Sequence, residues 1–164
     1  LVFEAARMLS GRIAKLALYE PPYNSDPESI RRFMDYRTRL GEVLAEGRQG
    51  DAVELFMRLV GASDEGVSQT RQSPMWPIFE VVAPTLPYDA AAMGDSSVPT
   101  ERAASVTAPT LVLDGGTSFP FMHATAVALA GALPNGQQRT LEGQSHDVSP
   151  EALAPVLQEF FKGE

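Results

Sequence analysis

The sequence has no cysteine and only two histidines among its 164 residues. Without cysteine the chain can form neither disulfides nor thiolate metal sites, and a cytoplasmic location is the expectation. No stretch approaches the ~18 uninterrupted apolar residues of a membrane-spanning helix, and the first residues lack the basic-then-apolar pattern of a secretory signal. We therefore expect no membrane partner.

Basic residues are scarce as well. The chain has 13 lysines and arginines against 21 aspartates and glutamates, which gives a net charge of −8 and a pI of about 4.8. A protein with this charge repels phosphate backbones and anionic membrane surfaces, so nucleic-acid binding is not expected. The histidines and acids do not follow metal-ligand spacing, and no glycine-rich phosphate-binding pattern is present, so we expect no metal and no other cofactor.

The last third of the chain alternates between strand and helix patterns. Residues 109–113 are apolar and β-rich, residues 121–133 have a helical pattern, and residues 138–141 form a second short strand pattern. The second strand leads into a loop that contains His146, and Ser149 then begins a final helix. Ligands of open α/β sheets bind outside the carboxyl ends of the strands, so the position of His146 predicts a functional site.

The first two thirds add one strand and a long helical segment. Residues 13–19 are short and apolar enough for a buried parallel strand, which the prolines after Glu20 would end. From residue 24 to about residue 105 the pattern is helical, and Asp26 and Pro27 mark a helix start. The fold class is therefore α/β, with three parallel strands that are neighbours in chain order.

Four motifs of the last third, in this order, resemble the end of an α/β-hydrolase. They are Pro-Thr-Leu-Val-Leu-x-Gly at 109–115, Ala-Leu-Pro-Asn at 132–135, Gly-x-x-His at 143–146 and the closing Phe-Phe at 160–161. Upstream, residues 18–22 and 83–89 are similar to the sixth strand and the cap of the same family. The resemblance implies three parts: a core helix and strand at 1–23, a helical cap at 24–107 and the C-terminal core with its His loop at 108–164.

The beginning of the chain bears on function. Residue 1 is Leu, and residues 1–9 read as the middle of an apolar helix without a capping residue. In the family this helix follows the Gly-x-Ser-x-Gly nucleophile elbow, a motif that does not occur in this sequence. The resemblance implies that the nucleophile lies before Leu1, that these residues alone are inactive, and that they form a homodimer or associate with the missing N-terminal half.

The resemblance gives His146 the role of general base, whereas His123 is interpreted as a surface residue. The family usually has its triad acid three residues after the glycine of the seventh strand, which here is Ser118, and serine cannot supply a charge. Glu20 is the substitute that we predict, because it closes the neighbouring strand at the same edge and some relatives carry their acid there.

Alternatives to this acid stay open. Glu20 could instead cap a turn and accept hydrogen bonds from the backbone. Asp114 lies too early in its strand to reach the His loop, and Asp147, adjacent to the histidine, would point elsewhere.

Met75, Trp76 and Phe79 are candidate substrate-binding residues, which would line an apolar pocket under the cap. Apolar residues at helical spacing are also typical of an ordinary core. The predicted function is the C-terminal part of a serine-type α/β-hydrolase for a small ester, amide or related apolar substrate. The alternative is a truncated, non-catalytic hydrolase-like domain that binds a ligand or partner, and the residues before Leu1 would distinguish the two.

Overall fold

A computed structural model describes residues 1–163, and the chain forms two compact units. The first, here called the sheet unit, contains Leu1–Ser25 and the segment from Ser97 onward. The second, the helical unit, is Asp26–Ser96. The interpretation of residues 24–107 as a cap stays a prediction.

Three strands form the sheet: β1 (Leu16–Tyr19), β2 (Thr110–Gly115) and β3 (Gly136–Leu141). All pairings are parallel and the order is β1-β2-β3, so the predicted fold class and strand order are confirmed. β1 begins three residues later than predicted, because its pairing with β2 begins only at Leu16, whose N–H donates to the Pro109 carbonyl at 2.9 Å. Residues 9–12 form a turn in which the Arg12 N–H donates to the Leu9 carbonyl. Gly11, with a φ of 79°, supplies the left-handed conformation of that turn.

Helices make up most of the remaining chain, and local sequence determines where several of them begin. Asp26 accepts a hydrogen bond from the Ser29 N–H at 2.8 Å, and the hydroxyl of Ser149 accepts one from the Ala152 N–H at 3.2 Å. Both are side-chain N-caps followed directly by proline, as the sequence predicted. The helices are α1 (Val2–Met8), α2 (Pro27–Ala45), α3 (Gln49–Leu59), α4 (Asp64–Arg71), α5 (Trp76–Val82), α6 (Leu86–Met93), α7 (Thr100–Ala103), α8 (Pro120–Ala132) and α9 (Pro150–Lys162).

The sheet is covered on both faces, as expected for parallel strands. Alternate residues of β2 point to opposite faces: Leu111 and Leu113 pack with apolar residues of α9, whereas Asp114 contacts a side chain of α8. All six residues of β2 are buried. The sheet unit is therefore a three-layer arrangement of helix, sheet and helix.

The helical unit consists of α2 to α6 and a 3₁₀ turn at Ala83–Thr85. Its core includes Phe33, Tyr36, Leu40 and Trp76. Burial, together with the nearby negative charge of Asp89, raises the pKa of Tyr36 to about 12. None of the helices in residues 1–163 has both the length and the apolar character needed to cross a membrane.

Candidate functional site

The carboxyl ends of the three strands bring together residues that are far apart in the sequence. Glu20 follows β1, Ser118 lies in the loop after β2, and His146 lies in the loop after β3. Because parallel strands end at the same edge of a sheet, these loops meet there. The geometry at this edge defines the candidate site.

Glu20 is a buried acceptor with three donors around its carboxylate. Its Oε1 accepts a hydrogen bond from the Gly115 N–H at 2.9 Å, and its Oε2 accepts one from the Ser118 hydroxyl, also at 2.9 Å. The same Oε2 lies 2.6 Å from Nδ1 of His146. These contacts satisfy the hydrogen-bonding capacity of a carboxylate that is buried away from water.

The backbone of Glu20 adopts an unusual conformation. Its φ is 46°, in the left-handed region that costs a non-glycine residue about 1–2 kcal/mol. Its N–H nevertheless continues the strand pairing by donating to the Leu113 carbonyl at 2.8 Å. Backbone strain of this kind is common where a side chain must be aimed at a functional site.

His146 presents one ring nitrogen to Glu20 and leaves more than half of its side chain, 58 %, exposed. Its Nδ1 donates to the carboxylate, which leaves Nε2 as the nitrogen that can take up or release a proton. A carboxylate on Nδ1 fixes the tautomer and the orientation of the ring. This pair can therefore perform general acid–base chemistry.

The loop that carries His146 is held by contacts to β1 and to the loop after β2. The carbonyl of Gln144 accepts hydrogen bonds from both the N–H and the hydroxyl of Thr117, each at 2.9 Å. The Tyr19 hydroxyl donates to the Ser145 carbonyl. Burial, followed by the negative charge of Glu20, raises the pKa of Tyr19, so this hydroxyl keeps its proton and remains a donor.

Gly115 is needed for the close approach of these two loops. A Cβ atom at this position would lie 2.5 Å from the Gln144 carbonyl oxygen and 2.7 Å from the Tyr19 hydroxyl. Real Cβ atoms do not tolerate such contacts. Gly115 thus makes room for the His loop.

A second histidine–carboxylate pair lies on the α8 side of the sheet. His123 Nδ1 is 3.1 Å from Oδ2 of Asp114, which is buried and also accepts hydrogen bonds from Gln138 and Thr140. His123 is exposed, as its interpretation as a surface residue requires, but the contact with Asp114 was missed. Strand alternation could have indicated a polar cluster around Asp114, since Gln138 and Thr140 lie on one face of β3.

Of the residues predicted for the site, Glu20 and His146 are brought together, as expected from the sequence. Asp147 is exposed, and Asp114 bonds to His123. Asp114 was set aside as too early in its strand to reach the His loop, and its bond to His123 gives it a different partner. The catalytic assignment of Glu20 and His146 stays a prediction.

The candidate substrate-binding residues lie in the helical unit. Trp76 is buried in its core, where the guanidinium of Arg71 stands 5.5 Å from the ring centre. Phe79 packs against that core, and Met75 is half exposed. Their role in binding stays a prediction. No group of three or more histidine or acidic side chains within residues 1–163 is placed to hold a metal ion.

Comparison with known proteins gives solved structures only; no family model and no curated protein matches the sequence. An α/β-hydrolase from Sphaerobacter thermophilus is 48% identical over 97% of this chain, with a TM-score of 0.77. This chain spans 62% of that hydrolase.

Two more distant structures share the fold. An acetylester hydrolase from Corynebacterium glutamicum is 14% identical and has a TM-score of 0.65. The match covers 99% of this chain and 58% of that hydrolase. A thermophilic esterase from Thermogutta terrifontis is 22% identical and has a TM-score of 0.56. The match covers 98% of this chain and 60% of that esterase. At these identities the likeness concerns the fold alone.

Proposed function

Because the chain belongs to the α/β-hydrolase fold family, we propose that His146 is the general base of a hydrolase and that Glu20 is the acid that orients it. The observation that carries this proposal is the 2.6 Å contact between His146 Nδ1 and the buried carboxylate of Glu20. The partners are 126 positions apart in the sequence. A carboxyl group buried beside an exposed imidazole is an arrangement suited to proton transfer.

In the proposed reaction, Nε2 of His146 removes the proton from a serine hydroxyl, and the serine oxygen attacks the carbonyl carbon of the substrate. The imidazolium, stabilised by Glu20, then gives this proton to the leaving oxygen or nitrogen as its bond to the carbonyl carbon breaks. A water molecule repeats the sequence on the acyl-enzyme and releases the acid. The serine is expected in residues before Leu1, in a Gly-x-Ser-x-Gly elbow.

The substrate proposed is a small ester, amide or related apolar molecule. Because an acetylester hydrolase and an esterase share this fold, esters are the first substrates to test. Because the chain spans less than two thirds of the S. thermophilus hydrolase, the activity is proposed for a longer protein that includes these residues. Its cytoplasmic location, expected from the lack of cysteine, is also part of the proposal.

The test compares the two histidine–carboxylate pairs in the intact protein, meaning these residues joined to whatever the reading frame encodes before Leu1. Glu20→Gln and His146→Gln should each lower kcat for a p-nitrophenyl ester, by roughly 10³–10⁴-fold. His123→Gln is the matched control, since His123 also places Nδ1 against a buried carboxylate. It should retain the activity of the parent.

Circular dichroism and thermal melts of the three variants would separate loss of chemistry from loss of folding. Equal activity of His146→Gln and the parent would overturn the general-base assignment. Full activity of Glu20→Gln, with His146 still essential, would assign the acid elsewhere. An intact protein that hydrolyses no ester or amide would favour the non-catalytic binding domain instead.

A further inference from the structure

Two phenylalanines at the start of α8 are exposed and stacked on each other, and one of them lies beside His146. Phe119 is 47% exposed and Phe121 is 40% exposed, and their rings stack with centroids 6.0 Å apart. The ring centre of Phe119 lies 5.9 Å from that of His146, at an interplanar angle of 60°. Neighbouring exposed aromatic rings beside an ionisable group are typical of a ligand-binding surface.

The hydrogen bond of His146 determines what this surface can contact. Nδ1 is held by Glu20, so Nε2 is the atom that exchanges protons with the substrate. In the acylation half of the reaction, Nε2 donates its proton to the leaving group, which must then lie within about 3 Å of it. Whatever flanks the imidazole ring therefore flanks the leaving group rather than the distal part of the acyl group.

We propose that Phe119, with Phe121 stacked on it, forms an apolar subsite for the leaving group of the substrate, and that the preferred substrates are esters of aromatic or bulky apolar alcohols. This inference rests on the proposed role of His146. It differs from the sequence-based prediction of a substrate pocket, which named residues of the helical unit. Phe119 and Phe121 are specificity-determining residues here, since neither carries a group that could transfer a proton.

The chemistry of the surface supports an aromatic occupant. Two stacked rings offer a flat apolar face, to which an aromatic ring binds by offset or edge-to-face contact. A methyl group could cover only a small part of that face. Differences of this size in apolar contact change kcat/KM by roughly tenfold or more.

The test uses two series of esters with the intact protein. In the first, the acyl group is acetyl and the alcohol is methanol, butanol or benzyl alcohol; in the second, the alcohol is methanol and the acyl group grows from acetyl to phenylacetyl. We expect kcat/KM to rise with the size of the alcohol. Phe119→Ala should reduce the ratio of benzyl acetate to methyl acetate by about tenfold and leave the ranking of the acyl series unchanged.

Two further variants serve as controls. Phe119→Tyr keeps the ring and should keep the preference for benzyl acetate. Phe161→Ala removes another exposed ring, 48% exposed, at the end of α9 and should leave both series unchanged. Equal losses on all esters in Phe119→Ala, or a change confined to the acyl series, would overturn the subsite while His146 keeps its role.

A binding measurement decides the question independently of turnover. Benzyl alcohol should shift the imidazole resonances of His146 in NMR titrations of the parent protein and have a markedly weaker effect on Phe119→Ala. The resonances of His123 provide an internal reference. If benzyl alcohol shifts His146 equally in both proteins, or shifts neither, the subsite is not at Phe119, whatever the hydrolysis assays show about His146.

Discussion

Ser118 occupies the position at which related hydrolases usually carry an acid, and its hydroxyl donates to Glu20, the acid that we propose instead. The bond to Glu20 Oε2 is 2.9 Å long and shares its acceptor oxygen with His146. Together with the Gly115 N–H, this hydroxyl orients the carboxylate. In the proposed site we therefore expect Ser118 to be a positioning residue, which acts on the imidazole through Glu20.

Replacement of Ser118 by alanine should lower kcat/KM of the intact protein by roughly tenfold or more, because a hydrogen bond to a charged group is worth about 1.5–3 kcal/mol and about 1.4 kcal/mol is a factor of ten in rate. Ser118→Thr keeps the hydroxyl and should restore most of the activity. The separate changes in kcat and KM are the decisive readout: with one donor fewer on Glu20, kcat should fall and KM should stay close to that of the parent. A merely structural role would lower the melting temperature and leave kcat of the folded protein in place.

Gly115 permits a second prediction at the scale of one residue. Gly115→Ala places a methyl group 2.5 Å from a backbone carbonyl oxygen, so the His loop must move. We expect a loss of about 1–3 kcal/mol in the free energy of unfolding, together with a loss of activity.

Gly143→Ala is the matched control for this variant. Gly143 has a φ of 71° but open space around its Cα, so its substitution costs only the backbone strain of about 1 kcal/mol. Urea denaturation of the two variants would measure the difference. A smaller loss for Gly115→Ala than for Gly143→Ala would show that the two loops separate easily.

At the scale of elements, each unit has its own core. Helix α2 contributes Phe33, Tyr36 and Leu40 to the core of the helical unit. Tyr36 is 7% exposed, and its hydroxyl remains protonated far beyond the usual range because burial raises its pKa to about 12. The free energy of unfolding of this unit should therefore fall as the pH becomes alkaline.

The direction of this dependence follows from the two pKa values. Below pH 10 the tyrosine is neutral in both states; between pH 10 and about 12 the unfolded chain ionises and the folded one does not, so stability is lost as pH rises. The full effect is roughly 3 kcal/mol, of which about half is present at pH 11. Urea unfolding at pH 8 and pH 11 should show this loss in the parent.

Tyr36→Phe cannot ionise and should lose about 1 kcal/mol less between the two pH values than the parent does. Tyr88→Phe, at a position that is 73% exposed, should behave like the parent. If Tyr36→Phe and the parent lose the same free energy, the tyrosine does not control the alkaline transition.

On the scale of the whole molecule, the sheet has an open edge. Within residues 1–163, β1 pairs with β2 on one side only. Helix α1 next to it exposes Val2 and Met8, at 62% and 75%. An unpaired strand edge and an apolar helix surface together favour association with another strand-bearing surface.

We therefore predict that residues 1–164, produced alone, form dimers or larger assemblies, or bind a separately produced N-terminal half. Light scattering should report a mass above that of the 17.7 kDa chain. A Val2→Lys/Met8→Lys variant should shift the mass towards the monomer. Val127→Lys, at an exposed position of α8, should not. A monodisperse 17.7 kDa parent with cooperative unfolding would contradict this prediction.

Local sequence by itself determined the secondary structure, because its signals act within a few residues. Asp26 and Ser149 cap helices whose next residue is proline, and the apolar runs before Glu20 and Asp114 form strands. Motif order was enough to predict the α/β class, the order of the strands and the meeting of Glu20 with His146. Strand β1 was predicted three residues too long, since the length of a strand depends on its partner, and the pairing of β1 with β2 begins at Leu16.

Tertiary structure alone decided which other side chains surround these two residues. The Ser118 hydroxyl on Glu20, the ring of Phe119 beside His146 and the pairing of Asp114 with His123 depend on the register of three strands and the path of the loops after them. Trp76 became part of a core for the same reason. Hydrophobic periodicity states that a residue is on an apolar face, but only the packing of distant elements determines what that face contacts.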